Sequence, residues 1–218
     1  MKYKTETHLH VEESCHCSDI PTEQMMRQYQ KDGFKTIIIT PHYARHYFTV
    51  MSNDWDVRID YLLFGYKIGK KLAASLGMNV LLGLELTLIE NGSDYLIYGM
   101  DEDFLRSNYN LYDLTLDQLI ELCKKNNYLL VQAHPFRKGM HRADLKHQMP
   151  LEVFNGRHVL DSNNEEARKY AEEHGLIALS GTDFHDLEDH RGGIVTDEEI
   201  ISIEDFKRVV LERNYTLI

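Results

Sequence analysis

The constraint that most narrows the fold of this chain is an alternation of short apolar, β-branched runs with segments of helical periodicity. Parallel strands need a long crossover, usually a helix, so this alternation implies a parallel sheet of about seven strands. Strands are predicted at Lys4–Leu9, Lys35–Thr40, Asn79–Leu84, Asp94–Tyr98, Tyr128–Ala133, Leu151–Phe154 and Leu176–Ser180, with a further extended run at Gly193–Thr196. Helices are predicted at Thr22–Lys31, Asp54–Leu76, Thr115–Lys125, Asn163–His174 and Glu204–Arg213, with Gly33 and Gly77 as stops. Asn91-Gly92 reads as a hairpin turn. No linker or repeat divides the chain, so one α/β domain over residues 1–218 is expected. The sheet is either open or closed into a barrel, and a barrel gathers its function at the C-terminal ends of the strands.

Charge limits the partners. With 24 Lys+Arg against 35 Asp+Glu, the net charge is −11, which disfavours a nucleic-acid duplex or an anionic membrane as a bulk partner. A small phosphorylated substrate stays open, because bound cations can reverse the local field. The start of the chain has no signal-peptide pattern and no apolar run is long enough to span a bilayer, so a cytoplasmic protein is expected. Cys15, Cys17 and Cys123 are too few and odd in number for a disulfide framework.

Against this map the polar residues fall in a pattern. His8 and His10 end the first strand, and their i, i+2 spacing aims both imidazoles at one face. His42 follows the second strand, Glu85 the third, and His134 the Tyr128–Ala133 strand. Glu152 and Asn155 flank the next strand end, and Asp183 and His185 follow the last. Imidazole and carboxylate donors suit Zn, Mn or Fe, and their number exceeds what one tetrahedral ion needs, so two or three ions are expected. Such multinuclear sites clamp a phosphoryl or acyl group and activate a bridging water.

The series His8-Leu9-His10, Thr40-Pro41-His42, Gly83-Leu84-Glu85, Ala133-His134-Pro135 and Gly181-Thr182-Asp183-Phe184-His185 resembles the PHP (polymerase and histidinol phosphatase) family, in order and over most of the chain. The resemblance implies a distorted (β/α)7 TIM-like barrel with a di- or trinuclear metal site, in a family composed mostly of phosphoesterases. It implies that His8, His10, Glu85 and Asp183 share one ion, that Glu85 bridges to a second held by His134, and that His16, His42 and His185 hold a third. Two departures stand out. Relatives often carry a histidine after the fourth strand, where this chain reads Tyr98-Gly99-Met100-Asp101-Glu102, so that either Asp101 substitutes or that ion is more weakly held and partly hydrated. Glu6 stands where many relatives have aspartate, and is expected to orient a ligand imidazole.

The expected activity is hydrolysis of a phosphate monoester on a small metabolite (histidinol phosphate, a sugar phosphate or a nucleotide) by a metal-bridging hydroxide, with Asp183 or His185 relaying a proton. Arg137 is the first choice as phosphate clamp, followed by Arg45 and Arg191, because a guanidinium matches two phosphate oxygens. Tyr43 and Tyr47 are candidates for an aromatic wall, and Asn155 for a pocket-lining residue. Glu13 and Asp19 read as either site or loop carboxylates, whereas His46, His141, His147, His158, His174 and His190 read as surface residues. The alternatives are a protein-tyrosine phosphatase of the same family, an amidohydrolase-like amide or ester hydrolase, and a non-catalytic metal-binding accessory domain. A structural zinc site built on Cys15, His16 and Cys17 lacks a second cysteine pair. The sequence leaves the oligomeric state open.

Overall fold

The computed structural model describes residues 1–49 and 52–218. The strands are β1 (Tyr3–Leu9), β2 (Phe34–Ile39), β3 (His42–Tyr43), β4 (Asn79–Thr87), β5 (Asp94–Tyr98), β6 (Leu129–Gln132), β7 (Leu151–Asn155), β8 (Ala178–Gly181), β9 (Ile194–Thr196) and β10 (Thr216–Leu217). The helices are α1 (Thr22–Lys31), α2 (Arg45–Thr49), α3 (Trp55–Leu62), α4 (Phe64–Leu76), α5 (Glu102–Ser107), α6 (Leu116–Lys125), α7 (Asn164–Glu173) and α8 (Ile203–Glu212).

The sheet runs β10-β9-β1-β2-β4-β5-β6-β7-β8 and curls into a nearly closed barrel. The barrel closes where β8, at one edge, approaches β1: Leu9 bridges Phe184 in parallel, and His10 N donates to Phe184 O at 3.0 Å. Thr7 Oγ1 donates to Ser180 O at 2.7 Å across the same seam. The distorted barrel expected from the sequence is therefore the fold. Its main distortion is β5, which is antiparallel to both β4 and β6.

Strand periodicity divides the core into layers. Ile38 of β2 points into the barrel with Leu81, Leu96, Val131 and Leu179, and Phe206, Val209 and Val210 of α8 join them. Ile37 and Ile39 point outward, under Met25, Met26 and Tyr29 of α1 and Leu76 of α4. Burial on both faces explains why β2 reads as a continuous apolar run.

Some elements differ from expectation for identifiable reasons. The helix expected over Asp54–Leu76 is broken at Leu63 into α3 and α4. Ser14 Oγ accepts the Gly65 amide at 2.9 Å, taking that donor out of the helical ladder. A side chain on Gly65 would also meet Val11 Cγ2 at 2.3 Å, so the loop after β1 can sit directly on the break. Glu85 lies within β4, which runs on to Thr87 to pair with β3 and β5. Among the described residues, no helix is long and apolar enough to cross a membrane.

Candidate metal centre

His8 and His10, two residues apart at the end of β1, turn to one side at the C-terminal mouth of the barrel, past a register shift that separates them from the phase of Glu6. On β4, Leu81, Gly83 and Glu85 share the inward face, which brings Glu85 level with them. Four imidazoles then surround one buried carboxylate. Glu85 Oε1 lies 3.2 Å from His8 Nε2 and 3.1 Å from His134 Nε2. Its Oε2 lies 3.3 Å from His10 Nε2 and 2.5 Å from His42 Nδ1. Asp183 Oδ1 completes the group, 3.2 Å from His10 Nε2 and 3.6 Å from His8 Nε2.

Two of these residues reach the centre by leaving ordinary strand geometry. Leu130 and Gln132 face outward on β6, so alternation alone would turn His134 away; its φ of 28° breaks the alternation. Asp183 has a φ of 54°, with its amide donating to His8 O at 2.8 Å. Left-handed backbone at non-glycine residues costs about 1–3 kcal/mol each, and the surrounding hydrogen bonds hold it in place.

A second layer fixes the ligands. Glu152 Oε1 accepts from His8 Nδ1 at 2.9 Å, leaving the His8 Nε2 lone pair for the centre. Glu152 Oε2 accepts from the His134 amide at 2.9 Å and from Asn155 Nδ2 at 3.1 Å. Asp183 Oδ2 accepts from Arg137 Nη2 at 2.8 Å and Asn155 Nδ2 at 3.2 Å. The imidazole-orienting role expected of Glu6 thus belongs to Glu152. Glu6 instead accepts from the Thr7, His8 and Thr182 amides and from Tyr29 Oη, bracing the seam between β1 and β8. Gly181 permits that seam, since a Cβ there would lie 2.5 Å from both Glu152 Oε1 and His8 Cβ.

The electrostatics are those of a cation site. Burial opposes charge throughout, yet the Glu152, Glu85 and Asp183 carboxylates raise the His8 pKa well above its ordinary value. Despite burial, His42 and His8 hold Glu85 well below the usual carboxylate range, and His8 and His10 do the same for Asp183. Burial, with His42 and His185 nearby, pushes His10 down. Burial also pushes His185 down to about 4, against the pull of Asp183. The Nδ1 atoms of His10 and His134 are buried without a hydrogen-bond partner. His8 Nε2 and His10 Nε2 face each other at 3.1 Å, where at most one proton fits between two lone pairs. Lone pairs outnumber protons here, so the donor set fits divalent transition-metal ions.

Among the described residues the donors fall into four overlapping groups. His8, His10 and Glu85 converge, as do His10, Asp183 and His185 beside them, and Glu85, Asp94 and His134 make another set. The fourth is Cys15, Cys17, His42 and His185. Asp94 is a donor that sequence reasoning missed. Because β5 is antiparallel, its first residue lies at the mouth, on the inward phase shared with Leu96 and Tyr98. Asp101, sought at the other end of β5, instead caps α5 by accepting from Phe104 N at 2.8 Å. The Asn91-Gly92 turn was the signal for this reversal.

His16 does not join the cluster. It is exposed and its Nε2 lies 3.3 Å from Tyr61 Oη, while the cysteines on either side face the centre. Cys15 and Cys17 are joined as a disulfide with Cα atoms 5.2 Å apart, a pairing that the sparse cysteine count did not suggest. With one residue between them, the pair ties no separate elements together.

Of the arginines, Arg137 is at the centre, bonded to Asp183 and to Asn155 Oδ1 at 2.8 Å. Arg191 is committed elsewhere: it bonds Asp32 Oδ2 at 2.9 Å and lies over the Tyr29 and Phe184 rings. Arg45 is exposed at the start of α2. Arg157, which the sequence did not single out, is half-buried after β7 and acts electrostatically on His185 and Tyr47. Tyr47 stacks on His42 with ring centroids 5.1 Å apart, whereas Tyr43 packs in the core. Glu13 accepts from the Thr22 amide at the start of α1, and Asp19 is exposed. Among the six histidines expected at the surface, His147 is half-buried and the others are exposed.

Fold and site together define a metal-binding α/β barrel whose ligands lie at its C-terminal mouth. The PHP domain family matches residues 6–215, and the chain belongs to that family. Its fold is similar to a two-domain protein from Bacteroides vulgatus containing a predicted PHP-like metal-dependent phosphoesterase, with a TM-score of 0.72 and 16% identity. That match covers 100% of this chain but 65% of the Bacteroides protein. PsfC from Pseudomonas syringae is similar at a TM-score of 0.67 and 16% identity, over 94% of this chain and 87% of that one. An amidohydrolase from Chromobacterium violaceum, with bound sulfate and no metal, is similar at a TM-score of 0.61 and 16% identity, over 97% of each chain. No curated protein is similar enough to the chain to be matched to it.

Proposed function

We propose that this protein is a metal-dependent phosphatase that hydrolyses a phosphate monoester on a small metabolite. The observation that carries the reading is Glu85, a buried carboxylate faced by His8, His10, His42 and His134. These residues would hold divalent ions, with His8, His10 and Asp183 on one side of Glu85 and Asp94 and His134 on the other. Bound ions of this kind polarise phosphoryl oxygens and lower the pKa of water toward neutrality.

The chain's own residues supply the rest. Arg137 holds Asp183 in place and keeps a buried, unpartnered Nε–H. Arg157 makes no hydrogen bond or ion pair among the described residues, and as a half-buried cation beside His185 it is suited to receive a phosphate oxygen. Asp183 is held ionised and His185 neutral, so both donate electron pairs and neither is a ready proton donor. The leaving alcohol therefore takes its proton from solvent at the mouth. On this reading a proton relay through Asp183 or His185 is not required.

The test is a panel of phosphomonoesters, phosphodiesters, amides and lactones, assayed with Mn, Zn or Fe and again after chelation. Turnover confined to phosphomonoesters, lost on chelation and restored by metal, is the expected result. Turnover of amides or lactones alone would move the protein to the amidohydrolase class. Metal binding without any turnover would make it an accessory domain.

A further inference from the structure

We propose that Cys15 and Cys17, with His42 and His185, form a soft-metal site that is open when the two sulfurs are thiols and closed when they are joined. One donor atom from each of the four residues lies within 4.8 Å of all the others. Cys15 is buried and Cys17 half-buried, so the inner sulfur faces the imidazoles and the outer one is within reach of a small reagent.

The loop carrying these sulfurs is anchored at several points. Ser18 Oγ donates to His185 O at 3.0 Å, tying the loop to the last ligand motif. Glu12 N donates to Ile20 O at 3.1 Å across the loop, and Ser14 Oγ accepts from the Gly65 amide at the break between α3 and α4. The sulfurs are thus held against His42 and His185 by contacts that do not involve a metal. His16, between them, turns toward Tyr61.

Two thiolates and two imidazoles are the donor set of a tetrahedral zinc site, and softer than the carboxylate-rich group around Glu85. Only the thiolate is a good ligand, and a disulfide sulfur has lost that charge. Ion and disulfide therefore exclude each other. Closure requires a low-molecular-weight disulfide as oxidant. Both cysteine S–H bonds and the reagent's S–S bond break, the Cys15–Cys17 bond forms, and the reagent leaves as two thiols carrying both protons and both electrons. A dithiol reductant reverses the exchange. The sulfur site stands on geometry, whereas its effect on turnover rests on the phosphatase reading, because His42 also contacts Glu85.

The test uses chelator-stripped wild-type protein in two forms, reduced with a dithiol or oxidised with oxidised glutathione, each then loaded with Co2+. The reduced form is expected to bind one more cobalt ion per chain than the oxidised form and to show a sulfur-to-cobalt charge-transfer band. Re-reduction of the oxidised form should restore both. Cys17→Ser, checked for native circular dichroism, should stay at the lower stoichiometry in either condition. Equal cobalt in both wild-type forms, or extra cobalt without the sulfur band, would overturn the proposal. Failure of the phosphatase reading looks different: no phosphoester is turned over while the redox-dependent sulfur band remains.

Discussion

Glu152 supports the ligand set from behind. One oxygen sets the His8 tautomer, and the other holds the His134 amide and Asn155. Glu152→Gln keeps the shape but faces an amide N–H toward a donor on one side. A loss of about 10–100-fold in metal affinity or activity is expected, by elemental analysis and steady-state assay, with the fold retained. Arg157 acts on the outer side of the same centre. Arg157→Ala should raise KM for a phosphomonoester by about tenfold, the worth of one charged hydrogen bond, with kcat little changed. An unchanged KM would remove Arg157 from phosphate binding.

At the scale of elements, β5 decides the most. Its reversed direction delivers Asp94 to the mouth and Asp101 to the far end, although both lie within a few residues of one short strand. Asp94→Asn should therefore lower the bound metal by one ion per chain and reduce turnover, whereas Asp101→Asn should change neither. Metal counting on both variants, prepared alike, checks this directly. The Asn91-Gly92 turn is legible in the sequence, but which end of β5 meets the site depends on how that strand pairs with β4 and β6. The break between α3 and α4 was not legible, because the Ser14 hydroxyl that causes it comes from a distant loop.

The whole molecule concentrates buried charge at one end of a barrel that closes across β1 and β8. Without a cation that end is poorly neutralised, so metal binding should add stability. At a hundredfold excess over Kd the gain is about 2.7 kcal/mol per ion, read as a rise in Tm and reversed by chelation. The pH dependence has a definite sign. His8 and His42 are raised by their carboxylate neighbours against burial, so in the metal-free protein they keep protons above the ordinary histidine range. Their contribution to metal-free stability is full at low pH and lost as pH rises through the raised values. His10 and His185, lowered by burial, act oppositely and cost stability as pH falls below the ordinary histidine value. A metal must displace the protons on His8 and His42, so the metal-induced rise in Tm should be larger at about pH 8 than at about pH 6. A pH-independent rise would mean that these imidazoles are not ligands.

What the sequence determined by itself was whatever repeats locally. The alternation of strands and helices set an α/β sheet, open or closed, and the i, i+2 spacing of His8 and His10 set a shared face. The order of His42, Glu85, His134 and the Asp183-Phe184-His185 run pointed to the family to which residues 6–215 belong. Tertiary structure decided everything that depends on distant backbone. It brought Asp94 in through an antiparallel strand and placed Glu152 behind His8. It also turned Cys15 and Cys17 toward the centre while His16 turned away. Periodicity assigns faces only within a regular element; in a loop, side-chain direction follows from the hydrogen bonds that anchor it, and those partners lie far along the chain.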